Sequence, residues 1–154
     1  MTRIAFSADH AGYRLKDELL AFAREQGHDV LDLGVNDDHS VDYPDMADAL
    51  AAALAEGRAE IGVIVCGSGI GISIAANRHR HLRAALCHDV TTARLAREHN
   101  DANVLALGAR ILGIAVARDC LEVFLSTPFA GGRHARRVAK LSGLPVAGEG
   151  PAAI

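Results

Sequence analysis

Short apolar runs alternate along the chain with longer stretches whose apolar residues recur every three or four positions. RIAFSA, beginning at Arg3, reads as a buried strand. The next stretch, YRLKDELLAFAREQG, reads as a helix with Leu15, Leu19 and Phe22 on one stripe and Gly27 ending it. DVLDLG is a second strand, followed by the polar loop VNDDHSVDYPD and an alanine-rich helix ending near Gly57. EIGVIVC is the third and most apolar strand, and GISIAANRH the helix after it. RAALCH, VTTARLAREH, ANVLALG and ILGIAVARDCLEVFLS continue the alternation, and Thr127-Pro128 stops the last of these helices. GGRHARRVAKLSG adds a further helix, and the tail LPVAGEGPAAI shows no period.

Strands without period-2 alternation, each separated by a helix, predict a parallel sheet covered on both faces. The expected fold is therefore α/β, a three-layer Rossmann-like, doubly wound, five-stranded sheet of order 2-1-3-4-5 with an extra C-terminal helix. Residues 1–143 read as a single domain and residues 144–154 as a flexible tail. The switch point of such a sheet lies between strands 1 and 3. The loops SADHAG and CGSGIG follow those two strands and fall where a ligand should bind.

Composition narrows the class. Half the 154 residues are apolar, which suffices for a real core. Sixteen basic and nineteen acidic side chains give a net charge of −3, which argues against a nucleic-acid surface. No apolar run approaches the roughly 18–20 residues a membrane span needs, and the start MTRIAFSADH is too short in apolar residues for a secretory signal. Cys66, Cys87 and Cys120 are widely spaced with no CxxC pair, as free thiols in a reducing compartment would be. A cytoplasmic protein is expected.

The chemistry centres on CGSGIG. Gly67, Gly69 and Gly71 let the backbone approach a ligand, and the helix that follows aims free N–H groups at it. A dinucleotide fingerprint would place its third glycine where Ile72 stands, and no Gly-Lys-Ser/Thr run makes a phosphate loop. Cys66 reads either as a small apolar residue finishing a buried strand or as a thiolate favoured by the helix N-terminus and able to act as a base. Ser68 is a turn residue or a hydroxyl beside that base.

Asp9 and His10 end strand 1; Asp9 alone would serve as an N-cap, whereas His10 would face the crevice. Asp42 and Tyr43 sit in the loop after strand 2, on the same sheet edge, where Pro44 suits a helix first turn. Arg133 and Arg137 share a helix face, as a solvated surface or as forks for a phosphate. The cluster His79-Arg80-His81 lies at the opposite edge without a ligand pattern and reads as a solvated loop. His99 and Asn100 end a helix that starts at the crevice edge, about 16 Å away over eleven residues. Either they are C-cap residues without a role, or they reach a neighbouring subunit's crevice in a symmetric dimer.

Taken together, SADHAGYRLK, VDYPD, CGSGIGISIAANR, HNDANVLALGAR and GGRHARR resemble the ribose-5-phosphate isomerase B family, which includes galactose-6-phosphate and allose-6-phosphate isomerases. The resemblance runs from Ile4 to about Leu141. It implies that Cys66 moves a proton between C1 and C2 of a sugar phosphate through an enediolate. Ser68 and the amides from Gly67 through Gly69 and Ile70 to Gly71 would hold the oxyanion. The family often has threonine at the position of Ser68, and a branch lacking the cysteine has glutamate at the position of Ile72; with the cysteine present and the glutamate absent, the resemblance implies the thiol type. His99 would open the sugar ring, helped by Asp9, Asp42 or Tyr43, and Asn100 would bind the sugar. His10, Arg110, Arg133 and Arg137 would hold the phosphate or terminal hydroxyls. The resemblance further implies a homodimer or a tetramer of dimers with shared sites, and needs no cofactor and no metal. Two other readings compete: a nucleotide-binding module without chemistry, and a regulatory subunit active only in a mixed complex.

Overall fold

A computed structural model describes residues 1–146. The elements run β1 (Arg3–Ala8), α1 (Tyr13–Glu25), β2 (Asp29–Asp32), α2 (Tyr43–Ala55), β3 (Ile61–Cys66), α3 (Ile70–Ala76), β4 (Ala84–Leu86), α4 (Val90–Asn100), β5 (Val104–Gly108), α5 (Ile114–Ser126) and α6 (Arg133–Leu141). All strand pairs are parallel, in the order β2-β1-β3-β5-β4. The five-stranded doubly wound sheet is thus present, but its last two strands exchange places relative to the expected 2-1-3-4-5. Strand length explains the exchange. All five residues of β5 are buried, so it pays to flank β3 on one side and β4 on the other, in register Gly62 with Val104 and Ala84 with Val104. The three half-buried residues of β4 suit an edge, where a short strand leaves few unpaired backbone groups.

Side chains alternate across the sheet and build two cores. Phe6, Val63, Val65, Leu105 and Leu107 pack against Leu19 of α1, Ala93 of α4 and Leu121 and Phe124 of α5. Ala5, Ile64, Cys66 and Ala106 face the other way, against Leu50 of α2 and Ile72 of α3. The alternation decides the orientation of Cys66: two residues beyond Ile64, it points to the α2–α3 side at the carboxyl end of the sheet. Helix α6 packs outside α4 and buries none of its own residues. Residues 144–146 follow it without regular structure, and the rest of the expected tail, 147–154, lies outside the described residues. Among the described residues no helix is long and apolar enough to cross a membrane.

Candidate active site

The loops after β1 and β3 meet at the switch point and enclose a cleft of about 320 Å³. Asp9, His10, Tyr43, Cys66, Gly67, Ser68, Gly71 and Arg110 line it, together with Ala11 and Ile111. The turn after β3 is shaped around the sulfur. Gly69 adopts a left-handed backbone, φ +76°, which allows its N–H to donate to Cys66 Sγ at 3.1 Å. Ile70 N–H donates to Ser68 Oγ at 3.2 Å, holding that hydroxyl at the rim. Gly71 is required for a different reason: a Cβ there would stand 2.6 Å from Cζ of Tyr43, so only a glycine lets that ring lie over the turn. Arg110 is brought across the cleft by its own N–H, which donates to Gly67 O at 2.9 Å.

On the opposite wall Asp9 is buried, and its Oδ1 accepts from the N–H groups of Ala11 and Gly12 at 3.0 and 3.1 Å. It therefore closes the turn ahead of α1; the N-cap itself is Gly12. His10 Nδ1 accepts the N–H of Val41 at 3.2 Å. Asp42 is the N-cap of α2 and stands outside the lining, while Tyr43 enters it. Gly69 is buried beneath the turn and Ile70 points outward, 54 % exposed. Ile72, where a branch of relatives would carry glutamate, is fully buried beneath α2 and lines no part of the cleft.

The remaining expected residues gather elsewhere. His99 ends α4 and stacks on His134 of α6, with ring centroids 4.4 Å apart and planes 10° from parallel. Loss of hydration, then His99, Arg133 and Arg137, hold His134 below the ordinary histidine pKa against the opposing pull of Glu98. Arg133 and Arg137 thus belong to this second cluster, and Asn100 lines a separate cavity beside Arg83 and Ala84. His134 lies between the i, i+4 arginines and carries no signal of its own in the sequence; its pairing with His99 depends on the packing of α6 on α4. The His79–His81 stretch is tied to α2, with His79 Nε2 2.7 Å from Asp48 Oδ1 and His81 Nε2 2.9 Å from Ala51 O.

Fold and cleft define a doubly wound α/β protein that presents a thiol, a hydroxyl and a guanidinium together at its switch point. A family model described as Ribose/Galactose Isomerase matches residues 4–141. The chain belongs to that family, and it is a sugar-phosphate isomerase. It is 41% identical over 144 residues to ribose-5-phosphate isomerase B of Escherichia coli (strain K12), covering 94% of this chain and 97% of that one. It is 38% identical to the D-erythrulose-4-phosphate isomerase of Pectobacterium atrosepticum, covering 92% of this chain and 93% of the relative. The crystal structure of a ribose 5-phosphate isomerase from Thermotoga maritima superposes with a TM-score of 0.90 at 44% identity, over 93% of this chain and 99% of that one.

Proposed function

We propose that the protein interconverts ribose 5-phosphate and ribulose 5-phosphate, with Cys66 as the base. The observation that carries this reading is the sulfur at the end of β3, buried from bulk solvent yet lining a polar cleft, with the Gly69 amide aimed at it. That amide complements the charge of a thiolate. The thiolate removes the proton from C2 and returns it to C1, while the hydroxyl proton passes from O2 to O1. Charge develops on the enediolate oxygens. The Gly69 and Ile70 amides are committed to Cys66 and Ser68, which leaves the Ser68 hydroxyl and the Gly67 and Ser68 amides for that oxyanion. Asp9 and Tyr43 both reach the cleft, and of the two the Tyr43 hydroxyl is the better placed to assist ring opening, since Asp9 Oδ1 is engaged by two amides.

One cleft contains one arginine, whereas His99, Asn100, Arg133 and Arg137 lie at the far end of α4 and on α6. A second copy that delivers these groups would complete the site, so we place the enzyme as a homodimer with shared active sites. Ile70 and Ile74, 54 % and 53 % exposed on α3 beside the cleft, offer apolar surface for that contact. The three unpaired cysteines suit a reducing cytoplasm.

The same chemistry on a four-carbon substrate is the second reading, favoured by the similarity to the Pectobacterium enzyme. Both are tested by proton–deuterium exchange at C2, followed by NMR in D2O with ribose 5-phosphate, allose 6-phosphate and erythrose 4-phosphate. Exchange with conversion of ribose 5-phosphate is expected. Conversion of another of the three alone would reassign the substrate, and silence from the folded protein with all three would overturn the ribose 5-phosphate reading, pointing first to a different sugar phosphate and second to a binding module without chemistry.

A further inference from the structure

The most deeply buried cation among the described residues lies outside the cleft. Lys16 of α1 is the one lysine or arginine among the buried described residues, with no exposed surface at all. An ammonium in that position is costly unless its hydrogens are fully engaged. Its Nζ donates to Asp32 Oδ1 at 2.6 Å and to Asn36 Oδ1 at 3.0 Å, and lies 2.8 Å from Asp17 Oδ1. Asp17 is its neighbour on the helix, but Asp32 and Asn36 belong to the end of β2 and the loop beyond it. Lys16 therefore joins α1 to the start of that loop.

The loop's other anchor is in the cleft. After Asn36 the chain runs exposed through Ser40, then returns at Val41, whose N–H donates to His10 Nδ1 at 3.2 Å. A backbone N–H can only donate, so Nδ1 must be the bare nitrogen of the ring and a neutral His10 carries its hydrogen on Nε2. The loop is consequently held at one end by a buried ammonium, next to the backbone bonds that Ala8 exchanges with Gly34 and Val35, and selects a histidine tautomer at the other. Only four residues, Asp37 to Ser40, stand between Asn36 and Val41, so a shift of the first anchor is passed on to the second.

We propose that Lys16 is a positioning residue for substrate binding. Through Asp32 and Asn36 it sets the loop that keeps His10 as an Nε2–H donor toward the phosphate or terminal hydroxyls of the sugar. The inference rests on the reading of His10 as a substrate-binding group.

The test compares Asn36→Ala, Lys16→Met and Asp17→Asn with the wild-type chain, measuring kcat and KM for ribose 5-phosphate and the ring-nitrogen NMR shifts of His10. Asn36 is exposed, so its truncation loosens the loop without orphaning a buried charge, and it carries the test whatever Lys16→Met does to folding. Loss of one hydrogen bond to a charged group predicts a rise in KM of roughly tenfold for Asn36→Ala, with kcat within about twofold. The two His10 nitrogens, distinct in the wild type, should average toward a tautomer mixture. Asp17→Asn, which leaves the loop contacts intact, should match the wild type in both readouts. A wild-type KM and wild-type His10 signals in Asn36→Ala would overturn the proposal, as would a fall in kcat alone, the signature of lost folded enzyme. A wild-type chain that leaves ribose 5-phosphate unchanged would instead sink the functional reading, and the His10 signals would still decide whether the loop sets the tautomer.

Discussion

The three cysteines of the chain meet two different fates. Cys87 and Cys120 are buried among apolar side chains, and burial, the main cause in both, pushes each thiol up to about 11. They should remain protonated through the neutral range, so iodoacetamide at pH 8 should modify Cys66, which lines the cleft, and spare the other two until the protein unfolds; mass spectrometry of the labelled chain checks this. Cys66→Ala should lower kcat by at least about a hundredfold, the usual contribution of a proton-transferring group, while the thermal midpoint stays near that of the wild type. A variant with near-normal kcat would remove the thiol from the mechanism. Glycines divide similarly. At Gly12 an added Cβ meets the backbone oxygen of Val65 at 2.5 Å, and backbone cannot step aside, so Gly12→Ala should destabilise by about 1–3 kcal/mol in urea unfolding. At Gly71 the obstacle is the ring of Tyr43, a side chain near the surface. Gly71→Ala should therefore fold well and fail in activity. Sequence marked Cys66 and these turns as candidates, but the direction of the sulfur came from the register of β3.

Elements are short and their ends matter. Helix α4 carries His99 and Asn100 at one end and is started at the other by Asp89, whose Oδ1 accepts the Thr92 N–H at 2.8 Å. Asp89→Ala should cost about 1 kcal/mol, the usual price of an N-cap, visible as a lower urea midpoint at unchanged slope. The helices are legible in apolar spacing, glycines and prolines, because those signals are local, although α3 stops at Ala76 rather than His79 and α5 begins at Ile114 rather than Ile111. The order of β4 and β5 is not. Both runs are apolar, and which of them flanks β3 depends on strand length and burial, quantities settled only when five residues of β5 pair on both sides. Lys16 is a comparable case: on a helical wheel it is an ordinary surface lysine, and it is buried because Asp32 and Asn36 come to meet it.

At the scale of the whole molecule, the candidate groups do not meet within a single chain: Cys66 lines the cleft, while His99 stands with His134 and the α6 arginines. If two copies share sites, each active centre takes Cys66 from one subunit and His99 from the other. Mixing Cys66→Ala chains with His99→Ala chains, through unfolding and joint refolding, should then restore roughly a quarter of wild-type activity, because half the dimers are mixed and each mixed dimer has one intact site. Mixtures as inactive as either parent would mean that both residues act within one chain. The eleven-residue length of α4 already made this separation visible in the sequence, since helix rise is a constant of the backbone. What the sequence determined by itself was everything with a fixed local geometry or a fixed chemistry: the alternation of strand and helix, the switch-point loops, the thiol beside a glycine turn, the distance from one end of α4 to the other. What only the tertiary structure decided were relations between distant segments: the edge position of β4, the stacking of His134 on His99, the engagement of Asp9 by its own turn, and the burial of Lys16. Those depend on which surfaces meet, and the free energy that brings them together is a sum over the whole fold rather than a property of any stretch of chain.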